Sequence, residues 1–343
     1  MALAQLSASW AGPAARPLPK ALCFKPAQPH AAGEPLACNQ SRALLRALRQ
    51  EQRRRRQPAP AAATSDESAS EADAPSSSEA RARAVAALAA DTFLRSEITI
   101  GVGTGLAVNC LLEELAARLG AGKLRGVRVV PASDAAAAEA ALHGIPQTTV
   151  EEAGRLDFYF EAADELAEDA EGSLAFIVGR RQQPAQPQLH RARALAAAAT
   201  TNVVLASEPG VVVPRLGGSL PVAIEEEGWE ETAEELDDIF LGDAELWRRS
   251  TEEGAGPRGG DSPYASPEGH TLVDIRFYEG LKLFGENADY GSIAREIESV
   301  GQGLVAHGLM ANVAAVAVVA GGEGEPARLA WRGEPTAAAA GGT

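Results

Sequence analysis

The chain has 343 residues and a formal charge of −16. Residues 1–60 hold ten basic and only two acidic residues, so the remaining 283 carry −24. That balance repels phosphate backbones and argues against nucleic acid or anionic membrane as a partner of the mature protein, and no run of 18 apolar residues offers a membrane span.

Along the chain, residues 1–63 are rich in Ala, Pro, Ser and Arg and have no sustained apolar period. Such a basic, acid-poor head reads as a chloroplast or mitochondrial transit peptide, the alternative being a basic tail that contacts nucleic acid. Residues 64–79, TSDESASEADAPSSSE, form an acidic linker with too little apolar surface to order itself. Cys23 and Cys38 lie in the head, which leaves Cys110 alone on a helix face. No disulfide, metal site or cofactor follows from that arrangement.

From residue 80 the texture alternates. Helical spacing over 80–94 is followed by a strand at 98–102 and a helix at 107–120 closed by Gly120. A strand at 127–131 and a helix at 134–144 come next, then strands at 157–160, 174–178 and 202–206 with a helix at 190–200 before the last. The alternation predicts an α/β fold, a Rossmann-like parallel sheet with helices on both faces and right-handed crossovers. Its sites belong at the carboxyl ends of strands, just after Val102, Pro131, Phe160, Val178 and Ala206. A helical acidic segment at 225–238, strands at 243–249 and 271–277 and a helix at 293–300 describe a smaller α+β lid domain. The apolar run 314–320 reads as a core strand returning to the main sheet. The expected domains are therefore 80–221 with 301–321, the lid at 222–300, and a loose tail at 322–343.

Four segments have residue types suited to chemistry. The turn Gly101-Val102-Gly103-Thr104-Gly105 joins a strand to a helix, where glycines let backbone N–H groups face an anion. Leu106 occupies the third glycine of a dinucleotide fingerprint and no Gly-Lys-Ser/Thr follows, so nucleotide binding is not indicated. Glu161-Ala162-Ala163-Asp164-Glu165 follows the next inner strand, and its paired carboxylates suit acid–base work or a solvated loop. Arg180 and Arg181, after Gly179, suit a phosphate grip or a basic surface turn. His307 sits between glycines before the last strand and reads as structural.

The order and spacing of these segments over about residues 80–321 resemble the A-type ribose-5-phosphate isomerases. The resemblance rests on the Gly-Thr-Gly turn, EAADE at 161–165, LGGS…PV at 216–222, GDAEL at 242–246 and VAHGLMAN at 305–312. It implies metal-free, cofactor-free interconversion of ribose and ribulose 5-phosphate, in the pentose phosphate pathway and Calvin cycle. A glutamate base moves a proton between C2 and C1, while a lysine and two aspartates stabilise the enediol. It also implies a homo-oligomer, or a hetero-oligomer with a paralogue, and a plastid address.

Carried onto this chain, the substrate loop is Thr104, Gly105, Leu106 and Ala107, with two hydroxyls replaced by apolar side chains. The acidic motif is Glu161, Ala162, Ala163 and Asp164, its first aspartate lengthened to glutamate. The family's lysine falls on Val178, ahead of Gly179, Arg180 and Arg181, and its glutamate base falls near Ala192. No acidic residue occurs between Glu171 and Glu208, and His190 stands beside the missing base as its substitute. The readings are an isomerase using Glu161, Asp164 and His190, an inactive homologue acting as a binding or scaffold subunit, and a sugar-phosphate sensor.

Overall fold

A computed structural model describes residues 77–169, 172–180, 188–208, 210–252, 254–283, 289–311, 313, 315–322 and 325–331. The chain divides into two units, Met1–Ser70 and Glu71–Thr343, and every described residue lies in the second. The transit segment 1–63 and most of the linker therefore fall outside the described residues.

Helix α1 (Ser77–Phe93) starts inside the segment expected to be linker and buries Ala82, Val85, Ala86, Ala89 and Ala90 along one stripe. Strand β1 (Thr99–Val102) is wholly buried and leads into α2 (Leu106–Gly120). Then come β2 (Arg128–Pro131) and α3 (Asp134–Leu142), whose cap Ser133 accepts the Ala136 N–H at 3.1 Å. The short α4 (Val150–Ala153) precedes β3 (Leu156–Glu161). Further on, α5 (Leu189–Ala198) runs straight into β6 (Ala199–Ala206), and β12 (Ala315–Val319) returns as expected.

The main sheet has the order β13-β12-β6-β3-β1-β2, parallel throughout except for β13 (Arg328–Trp331), which runs antiparallel to β12. That edge strand corrects the reading of 322–343 as a loose tail; residues beyond 331 are not described. Period-2 alternation divides the strands between two cores. Phe160, Val203, Leu205 and Val318 pack with α1, α2 and α3, while Tyr159, Val204, Ala206 and Ala317 pack with α5.

Strand β5 (Leu174–Ile177), expected in the parallel sheet, instead lies in an antiparallel three-stranded sheet with β4 (Glu165–Glu168) on one side and β11 (Leu309–Met310) on the other. Its partner β4 (Glu165–Glu168) ends only five residues before it, too few for a crossover helix. Val178 is therefore not a parallel strand end. A second antiparallel sheet, β10-β7-β9-β8, combines β7 (Ser219–Ile224), β8 (Ala244–Arg248), β9 (Thr271–Phe277) and β10 (Leu304–His307). With α6 (Trp229–Ile239) and α7 (Tyr290–Ser299) it forms the smaller α+β layer, which takes residues 304–307 from the larger domain.

Gly308 links the two antiparallel sheets between β10 and β11 (Leu309–Met310). Its N–H donates to Pro221 O at 2.8 Å and its carbonyl accepts the Val178 N–H at 2.9 Å. A side chain there would collide with the Val178 carbonyl, a backbone atom that cannot swing away. Gly308→Ala should therefore destabilise the fold by roughly 1–3 kcal/mol, measured as a lower urea midpoint with an unchanged slope.

Candidate functional site

The strand order places β1 between β2 and β3, so the chain reverses its direction of travel across the sheet at the carboxyl ends of β1 and β3. Doubly wound sheets place ligands at that point. The glycine turn and the EAADE segment meet there. The Gly103 N–H still bonds Phe160 O at 2.8 Å, which stitches the turn to β3. Gly105 has φ 128° and caps α2 without a side-chain bond, a conformation that L-residues avoid. Leu106 is 39% exposed at the start of α2 and Ala107 is buried, so neither offers a hydroxyl where the family has one.

Glu161 does not face an open pocket. It is 1% exposed, and its Oε1 accepts the backbone N–H groups of Thr104 and Ala162, each at 3.0 Å. Its Oε2 accepts the hydroxyl of buried Tyr159. Burial pushes its carboxyl up to about 7 against the pull of those three donors, and the nearby Asp164 adds a small push the same way. Ala162 is half-buried and Ala163 buried, forming the floor beside it.

Asp164 is oriented differently. Its N–H bonds Ile177 O at 2.8 Å and its Oδ2 accepts the Arg180 N–H at 2.9 Å, so it closes the end of the β4–β5 hairpin. The Arg180 side chain is engaged within the protein. Its Nη1 pairs with Glu165 at 2.6 Å, its Nε donates to Ser219 O at 2.5 Å, and its other nitrogen donates to Gly217 O. Glu165 in turn accepts the Gly217 N–H at 2.7 Å. Arg180 is thus a strut between the acidic motif and the approach to the smaller domain. Arg181 lies outside the described residues.

His190 is exposed on the first turn of α5, while Ala192, where the family's base would fall, is fully buried on the helix's core face. One residue cannot stand in for the other, because they point to opposite sides of the same helix. Val178, at the lysine position, is 1% exposed and shares the apolar cluster of Leu189 and Ala192. His307 is a buried structural residue, as expected. Burial and the Arg193 charge lower it to about 3, and Nδ1 lies 3.4 Å from an Arg193 nitrogen. The 3.4 Å approach of its Nε2 to Glu298 is no ion pair, because a ring so lowered stays neutral.

Two groups escaped the sequence reading. Tyr159 looked like one more strand aromatic. Arg249, 4% exposed, bonds Asp274 through Nε at 2.9 Å and Nη2 at 2.5 Å, and holds Gly179 O at 3.1 Å, so the smaller sheet braces the turn after β5. Its signal, a second arginine at the end of a strand, is indistinguishable from a surface charge without the fold.

A cavity of about 690 Å³ opens elsewhere, at the ends of β6 and β12 beside Arg81, Ser207 and Glu208. Its polar groups satisfy one another: Ser78 donates to Glu208, and Arg81 donates to Ser207 O at 3.1 Å. Size alone therefore does not mark the site; the strand order does. Among the described residues no cluster of His, Cys, Asp and Glu suits a metal ion.

The family model for ribose 5-phosphate isomerase A (phosphoriboisomerase A) matches residues 128–324. The ribose-5-phosphate isomerase A of Roseiflexus sp. strain RS-1 is 35% identical over 69% of this chain and 91% of its own. That of Synechococcus sp. strain JA-3-3Ab is 32% identical over 69% and 92%. Among solved structures, the ribose 5-phosphate isomerase of Plasmodium falciparum superposes with TM-score 0.59 at 25% identity, covering 70% of this chain and 94% of that one. A D-ribose-5-phosphate isomerase in complex with phospho-erythronic acid shares the fold, with TM-score 0.61 at 21% identity over 74% and 99%. The chain belongs to the ribose 5-phosphate isomerase A family.

Proposed function

We propose that this family member keeps the sugar-phosphate isomerase scaffold but turns ribose 5-phosphate over very slowly, serving in the plastid as a binding or regulatory subunit beside an active paralogue. One observation carries the reading. The two positions that would hold the base and the cation, Ala192 on α5 and Val178, are apolar and buried in one cluster. Two of the charged candidates are engaged elsewhere, Glu161 beneath the glycine turn and Arg180 against Glu165.

Proton transfer between C2 and C1 needs a base within reach of the carbon acid, and its loss typically costs 10²–10⁴-fold. Loss of a positioned donor at the developing oxyanion costs about 10²–10³-fold, and the two are not additive. Binding depends on other groups. The first turn of α2 presents backbone N–H groups at the carboxyl end of β1, a cradle suited to a phosphate. The structure of a D-ribose-5-phosphate isomerase in complex with phospho-erythronic acid, which shares this fold, supports a sugar phosphate as the ligand class. The basic, acid-poor head supports the plastid address, and the charge of −24 over the remaining chain disfavours nucleic-acid partners.

The test is the rate of ribulose 5-phosphate formation from ribose 5-phosphate by the purified full chain, with thermal shift against the same ligand. The expected rate is about 10³-fold or more below an active relative, with a ligand-dependent rise in melting temperature. A rate within tenfold of that relative would overturn the reading. Slow turnover with no thermal shift would favour a pure scaffold.

A further inference from the structure

Strand β3 brings Tyr159 and Glu161 to the same face of the sheet, two residues apart, and both side chains reach under the glycine turn. Gly101 is pressed against the tyrosine ring. A β-carbon there would stand 2.9 Å from Tyr159 Cδ2 and about as close to Leu156 and Leu195, at 3.0 and 3.1 Å. Gly103 lies directly over the glutamate, and a β-carbon on it would fall on all three atoms of the Glu161 carboxylate. The carboxylate is held there by the Tyr159 hydroxyl from below and by the Thr104 and Ala162 N–H groups from the turn and the strand end.

We infer that Tyr159 and Glu161 form a buried clasp that sets the conformation of the glycine turn, making Glu161 a positioning residue and not a group that meets substrate. Two of the turn's glycines are explained by this pair without any ligand: each is the residue type that leaves room for one half of the clasp. An aspartate at 161, one methylene shorter, would withdraw its carboxylate from the space beneath Gly103. The lengthened side chain is thus what lets this position hold the turn.

The clasp is independent of turnover, because its evidence is packing and hydrogen bonding, and a fully active enzyme could still carry it. Glu161 is faced by Tyr159 from its own strand and by Asp164 from the following loop, and Asp164 is itself bonded to the Arg180 N–H. Burial and the adjacent carboxylate hold the Tyr159 hydroxyl well above its usual range, so it remains a donor through neutral pH.

A double-mutant cycle tests the clasp through thermal melting of the full chain. Gly103→Ala is expected to lower the melting temperature by several degrees. In a Glu161→Ala background, where the carboxylate is gone, the same change should leave the melting temperature within about one degree or raise it. Equal losses in both backgrounds would overturn the clasp. If Gly103→Ala does not fold, Tyr159→Phe supplies the decision. Removing a donor to the carboxylate should move the pH midpoint of the Glu161-linked stability change upward by at least half a unit, relative to wild type, and an unchanged midpoint would overturn the proposal.

Discussion

Replacing Arg249 with Met should destabilise the protein by about 3–5 kcal/mol, the largest single-residue effect expected outside the core. Both partners are withdrawn from water, Arg249 at 4% exposure and Asp274 at 8%. The guanidinium makes two bonds to the carboxylate and a third to Gly179 O. Removing it strands a buried negative charge on β9 and leaves the Gly179 carbonyl without that donor. Asp274→Asn should act in the same direction but less strongly, since the amide still accepts one bond. The double change Arg249→Met with Asp274→Leu should recover most of the loss, because an apolar pair of similar volume avoids the desolvation of both charges. Urea unfolding of the three variants measures this. A loss below about 1 kcal/mol in Arg249→Met would mean that the pair is no more than a surface bridge.

Sequence patterning found β8 and β9 of the smaller sheet, and it found β1, β2, β3, β6 and β12 of the parallel sheet, whose central residues are apolar runs covered on both faces. Their burial is what makes them readable, since a strand covered on both sides must be apolar throughout. Three of the strands it missed lack that signature for a physical reason. Strand β4 reads Glu-Leu-Ala-Glu, with only its two middle residues buried. Strand β7 contains Pro221, which has no N–H for the ladder. Strand β11 is two residues long, defined only by its pairing with β5. The misplacement of β5 has the same origin: LAFI is as apolar as a parallel strand, and only the short link from β4 shows that it turns back antiparallel.

The site was legible as a location and illegible as a state. Gly101, Gly103 and Gly105 after a strand marked the switch point, and the apolar identities of Val178 and Ala192 were plain in the residues themselves. Where Glu161 and Arg180 point was not. A glutamate after a strand has several low-energy rotamers, and the choice of the inward one depends on Tyr159 and on the space left by Gly103. Arg180 is drawn to Glu165 across the hairpin and to two carbonyls more than thirty residues away, partners no local pattern can supply. His190 failed for a simpler reason: two residues on a helix is a rotation of about 200°, so exposure of His190 and burial of Ala192 are one fact.

Glu161→Gln should change the pH dependence of stability by roughly 3 kcal/mol between pH 5 and 8. The folded-state carboxyl lies at about 7 and its ordinary value at 4.5. Between those values the native state holds a proton that the unfolded chain has released, so this group makes stability fall as pH rises, and above 7 the loss is complete. His307 acts oppositely. Lowered to about 3 from 6.5, it is neutral in the fold while the unfolded imidazole binds a proton, so its contribution is lost as pH falls below 6.5. The two slopes, each at most about 1.4 kcal/mol per pH unit, oppose one another between pH 4.5 and 6.5 and largely cancel in the wild type. Each variant should uncover the other's slope. Glu161→Gln, which keeps an acceptor for Thr104 and Ala162 but does not titrate, should gain stability relative to wild type as pH rises from 5 to 8. His307→Gln should show stability falling over that range, steepest at about pH 6 and levelling off above 7. Urea unfolding at four pH values, expressed as variant minus wild type, removes the background of exposed carboxylates common to both. A flat difference for Glu161→Gln would mean that the carboxyl titrates near its ordinary value and that the space beneath Gly103 is wetter than its 1% exposure implies.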